Sequence, residues 1–168
     1  VCPGLVGLEG DAHLRRAATA GLADDLPLMT WEEIGELKAM GHVPGAHSMN
    51  HRRLSLLKGE ELRGEIVEPG QRLAERLGCE ISWFAYPFGD IGSISKDALE
   101  IISQEYRYCR SGLRGTNAAG TDPMALRAEH IDLAAPPAYR KLVLEGGLDI
   151  AYAEARRRLD ALALSLRG

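Results

Sequence analysis

Helix-like and strand-like segments alternate along this chain, and that alternation limits its fold more than any other feature. Thr30-Trp31-Glu32-Glu33 is a capping-box sequence, followed by apolar Ile34, Leu37 and Met40 at helical spacing and by Gly41 as a stop. A short strand is expected over residues 42–46. A second helix is expected from about Glu60 to Leu77, closed by Gly78 and kinked or broken at Pro69. Residues 81–86 read as the next strand, 95–105 as a helix and 106–109 as a strand. A loop rich in Gly, Thr, Asn and Ala follows over 111–123, then a last strand over 125–133 and helical segments over 139–144 and 149–166. Strand-helix-strand order at this spacing requires right-handed crossovers, hence a parallel sheet, either doubly wound or closed into a barrel.

In either architecture the loops leaving the C-terminal ends of the strands gather on one face, where active sites are built. Two such loops carry chemistry. His47-Ser48-Met49-Asn50-His51 sets two imidazoles four residues apart, a spacing that lets both rings converge on one point. Imidazole is the commonest side-chain ligand of a catalytic divalent metal, so the pair is a candidate metal site. A zinc peptidase is disfavoured, because Ser48 stands where the H-E-x-x-H arrangement would place its general base. The second loop is Tyr86-Pro87-Phe88-Gly89-Asp90.

The 168 residues suffice for one domain with a core. Twenty basic and 24 acidic residues are interspersed, giving a net charge of −4 and no electrostatic footprint for nucleic acid. The run Arg156-Arg157-Arg158 reads as a solvated helix face. Cys2, Cys79 and Cys109 are odd in number and widely spaced, which fits buried free thiols and leaves the compartment undecided. No stretch approaches the ~18 uninterrupted apolar residues of a membrane span. His13 and His42 have no partner in sequence and read as surface residues.

Taken together, the His47/His51 pair and Phe84-Ala85-Tyr86-Pro87-Phe88-Gly89-Asp90 resemble the polysaccharide deacetylase family, the NodB-homology domain of carbohydrate esterases. The resemblance runs from about Val1 to Cys109 and fades beyond Gly112. It implies an α/β fold, a parallel-stranded, incomplete or distorted (β/α) barrel, with residues 1–168 forming one domain. It also implies a metal-dependent hydrolase that removes acetyl groups, N-acetyl foremost, from a bacterial polysaccharide or glycan. Under that resemblance His47 and His51 hold a divalent ion, zinc above others, and Ser48 supports their loop. The backbone N–H of Phe88 faces the oxyanion, and Tyr86, Pro87, Gly89 and Asp90 line the substrate groove.

The chain departs from the family pattern in three places. The T-F-D-D-G motif, which carries the base and a third ligand on a preceding strand, is absent, and Ala23-Asp24-Asp25-Leu26 lacks the strand and Gly needed to replace it. The expectation is a chain lacking its first β/α unit, binding zinc weakly and inactive alone, and prone to self-association through an exposed edge. Ala85 stands where an Arg commonly precedes the P-[YF]-G segment. The late L-x-H motif is not recognisable, which leaves His130 as the one downstream histidine to offer as general acid. A relative that binds glycan or a protein partner without hydrolysis is the alternative.

Overall fold

Helix α1 (Trp31–Ala39) starts as its capping box dictates: Thr30 Oγ1 accepts from the Glu33 N–H, and the Glu33 side chain accepts from the Thr30 N–H. Helix α2 (Gly59–Leu77) ends at Gly78, whose φ of 59° places it in the left-handed region. Its apolar stripe buries Leu62, Ile66, Pro69, Leu73 and Leu77. The computed structural model describes residues 1–8 and 28–167. His13 and the Ala23-Asp24-Asp25-Leu26 stretch lie outside the described residues.

Pro69 does not break α2, which runs through it as one helix of 19 residues. Proline removes one N–H from the ladder and leaves the carbonyl four residues back, that of Glu65, without its helical donor. The vacancy is filled from outside, by the Met49 N–H at 3.2 Å. Next to it, Gly70 leaves room for the Tyr106 phenol, which donates to the Ile66 carbonyl at 2.7 Å.

Strand β1 (Trp83–Ala85) pairs in parallel with β2 (Tyr108–Arg110), joined by helix α3 (Lys96–Glu105). Single parallel bridges extend the sheet, Ala46 beside Phe84 on one side and Leu126 beside Arg110 on the other. Val1 adds a further step, donating from its amino group to the Gly45 carbonyl at 2.7 Å and accepting from the His47 N–H at 2.9 Å. Neighbours in space are therefore neighbours in sequence, 1, 46, 84, 109 and 126, as expected for a parallel α/β chain. One sheet face, with Phe84 and Cys109, is buried against α2 and α3, where Leu62, Ile66, Leu99 and Ile102 are all within 1% of complete burial.

Two expected strands shrink to single bridges. Over 42–46, His42 and Val43 are exposed and only Ala46 pairs. Over 125–133, the backbone of Arg127 is paired by the Asn117 side chain, which accepts its N–H and donates to its carbonyl, so no strand ladder forms there. The C-terminal part forms α4 (Pro137–Leu144) and α5 (Ala153–Leu164), the latter burying Leu159 and Ala163. Arg156 corrects the reading of its run as a solvated face: its guanidinium is half-buried and donates to the carbonyls of Arg114 and Asp149. Among the described residues no helix is long and apolar enough to cross a membrane.

Candidate metal centre and its neighbouring loop

The Ala46 bridge ends the sheet segment immediately before His47, so the histidine loop begins where the strand stops, as the topology requires. Ser48 and His51 both adopt positive φ, 57° and 58°. For residues with a Cβ this costs ~1–2 kcal/mol each, and local bonds hold the conformation. Ser48 is fully buried, and its Oγ accepts the His51 N–H at 2.9 Å. The loop thereby turns back on itself and brings the two imidazoles together edge to face, with ring centroids 4.9 Å apart.

His47 Nδ1 lies 2.6 Å from the Ala85 carbonyl. A carbonyl only accepts, so Nδ1 carries the proton and Nε2 is left with its lone pair. Burial, the main cause, pulls the pKa of His47 down to about 4, aided by the neighbouring His51 and Arg110 and opposed by the Ala85 bond. The imidazole is therefore neutral at physiological pH, the state a metal ligand needs. Among the described residues no cluster of three or more His, Cys, Asp or Glu could hold a metal ion.

The second loop leaves β1 beside this pair. Phe88 has φ 65° and Gly89 φ 71°. The Phe88 ring sits 5.0 Å from the His51 ring, and among the described residues its backbone N–H donates to no protein group. Tyr86 and Pro87 are buried, and the Tyr86 hydroxyl donates to the Gly89 carbonyl at 3.1 Å, so they shape the loop from below. Gly89 lies against Gly112: a Cβ there would meet the Gly112 nitrogen at 2.6 Å. A cavity of about 240 Å³ opens between these groups, lined by His47, Tyr86, Phe88, Gly89, Arg110 and Ser111 among others.

Asp90 is exposed and does not line the cavity beside His47. Its carboxylate accepts from the Gly92 N–H, Ser93 Oγ and Arg53, and these bonds together outweigh burial to hold its pKa below the usual carboxylate range. His130 is exposed, its carbonyl held by Arg114, and it does not line the cavity beside His47.

Three contributors escaped the sequence reading. Arg53 reaches from the histidine loop to Asp90 and stacks over Phe88 at 4.6 Å, tying the two loops together. Arg110, in register with Ala85, lines the cavity, and its guanidinium makes no hydrogen bond or ion pair to another described residue. Glu65, only 4% exposed, accepts from Asn50 with both oxygens. Only Glu65 left a signal, a carboxylate within the Leu62–Ile66–Leu73 stripe.

Comparison with known proteins settles what this pair of loops belongs to. The family model for polysaccharide deacetylase matches residues 12–107, more than half of the 168 and including both loops. The chain belongs to the polysaccharide deacetylase family. A crystal structure of a polysaccharide deacetylase from Bacillus cereus shares its fold, with a TM-score of 0.57 at 15% identity over 85% of this chain. The match covers 44% of that protein, so this chain spans less than half the length of its structural relative. No curated protein sequence matches the chain.

Proposed function

We propose that this deacetylase-family chain is part of a metal-dependent hydrolase that removes acetyl groups, N-acetyl foremost, from a polysaccharide or glycan. The observation that carries the reading is the convergence of two imidazoles, with Nε2 of His47 left open by the Ala85 bond, beside a backbone N–H at Phe88. The donor set fits zinc in kind, since neutral imidazole nitrogens are among its preferred ligands. When bound, such an ion would polarise the acyl carbonyl and lower the pKa of a coordinated water.

The chain's own residues supply the remainder. The Phe88 N–H would donate to the developing oxyanion, held in place by the Tyr86–Gly89 bond and by Arg53 stacked on the ring. Gly89 and Arg110 would bound the acyl side of the cavity. A hydrolytic zinc site normally has three protein ligands, so the third, and the carboxylate that accepts the water's proton, would come from outside the described residues. The run of parallel segments in sequence order would form one arc of a distorted (β/α) barrel.

The test is acetate release from N-acetylglucosamine oligomers in the presence of zinc. Release that disappears in His47→Ala and His51→Ala supports hydrolysis. The small ligand set among the described residues favours one other reading, a glycan-binding relative without activity. Saturable oligomer binding that zinc and the His47→Ala and His51→Ala substitutions leave unchanged, with no acetate release, would establish that reading instead.

A further inference from the structure

We infer that Glu65 is a positioning residue for the histidine pair, and that Pro69 frees the backbone of Glu65 to take part. Three acceptors converge on the segment between the two histidines, all from this one residue. The Glu65 carbonyl accepts the Met49 N–H at 3.2 Å, Oε2 accepts the Asn50 N–H at 2.9 Å, and Oε1 accepts Asn50 Nδ2 at 2.8 Å. In an uninterrupted helix that carbonyl would bond the N–H of residue 69, which proline lacks. The proline thus turns a helical acceptor outward, and the histidine loop is what it meets.

The loop needs such a grip. Met49 and Asn50 lie between two residues with left-handed backbone, Ser48 and His51. From the opposite side the Gly4 N–H donates to the Met49 carbonyl at 2.9 Å, and the Gly4 Cα packs so closely on Asn50 that any Cβ would clash. The segment is therefore pinned between Gly4 and α2. His47 has its own tether in Ala85, whereas the backbone carrying His51 is set through Ser48 and Asn50. Burying a carboxylate on the apolar stripe of α2 is unfavourable unless its oxygens are satisfied, and those of Glu65 are satisfied by this loop. What the positioned pair holds rests on the reading under Proposed function; the positioning itself does not.

The experiment is zinc titration by calorimetry on the full chain, alongside histidine-selective NMR of the metal-free protein. Glu65→Leu suits the apolar stripe and should keep the helix, yet weaken zinc binding about 10-fold or more, the range seen when groups supporting a ligand are removed. It should also shift or broaden the amide and ring signals of His51 while leaving the His47 ring in place. Glu65→Gln, which keeps the shape and an acceptor, should recover most of the affinity. Pro69→Ala restores a competing N–H and should weaken zinc binding with no loss of helix content, an effect that a merely structural role would not give. Equal zinc affinity in the parent and all three variants, or unchanged His51 signals in metal-free Glu65→Leu, overturns the inference. Should Glu65→Leu fail to fold, Glu65→Gln and Pro69→Ala decide it. Should the parent bind no zinc, the metal reading fails, and the metal-free spectra still decide the role of Glu65.

Discussion

Replacing Gly89 by alanine strikes the contact that seats the Phe88 loop on the exit of β2. The new Cβ would lie 2.6 Å from the Gly112 nitrogen and 2.7 Å from its Cα, both backbone atoms that cannot rotate away. Relieving such overlap requires the two loops to part, an overpacking penalty of ~1–3 kcal/mol. The parting also stretches the bond from the Gly112 N–H to the Gly89 carbonyl, now 2.9 Å, a loss of ~0.5–1.5 kcal/mol. A φ of 71° adds the left-handed penalty that glycine escapes, ~1 kcal/mol or somewhat more. Together these put the destabilisation at about 2.5–6 kcal/mol, against a total of ~5–15 kcal/mol for a domain. Urea unfolding followed by circular dichroism would measure it. The matched control is Gly35→Ala in α1, where an added Cβ meets nothing within 4 Å and should stabilise by ~0.5–1 kcal/mol. A Gly89→Ala variant within 1 kcal/mol of the parent would refute the packing argument, most sharply if Gly35→Ala behaves as expected.

Other outcomes follow from the same structure. Because the folded protein holds the His47 pKa near 4 against an ordinary 6.5, the unfolded chain binds the extra proton between those values and metal-free stability falls as pH drops from about 6.5 to 4. The full effect is on the order of 3 kcal/mol, and it should vanish from the pH profile of His47→Asn. Native thiol labelling should spare Cys109, which is buried with its pKa pushed far up by desolvation, and should modify Cys2 slowly, its pKa raised to about 11 mainly by burial. Labelling of Cys109 at the rate of an unfolded control would contradict its place in the core. Arg156→Ala should lower the unfolding midpoint measurably, since it strips donors from the Arg114 and Asp149 carbonyls. Arg158→Ala, on the exposed face, should not.

Local signals carried the helices well: the Thr30 capping box and the Gly78 stop appear where residue chemistry put them, and the helix expected over 95–105 forms over Lys96–Glu105. Strands were less legible, because a parallel strand exists only through partners distant in sequence. Residues 125–133 have strand-like composition, but Asn117 takes the backbone of Arg127 first. The His47/His51 convergence could be foreseen because their spacing encodes it. The supports could not. Glu65 lies on a helix whose register against the loop depends on tertiary packing, and Arg53 finds Asp90 and Phe88 only once both loops leave the sheet on one side. Pro69 by itself predicts only a kink or break in its own helix, whereas its visible consequence lies in the neighbouring loop.

X-ray absorption spectroscopy of the zinc-loaded protein bears most directly on the histidine pair, because its multiple-scattering pattern counts imidazole ligands. Two imidazoles per zinc are expected, falling to one in either His47→Ala or His51→Ala. A spectrum with no imidazole, or one unchanged by both substitutions, would contradict the metal centre.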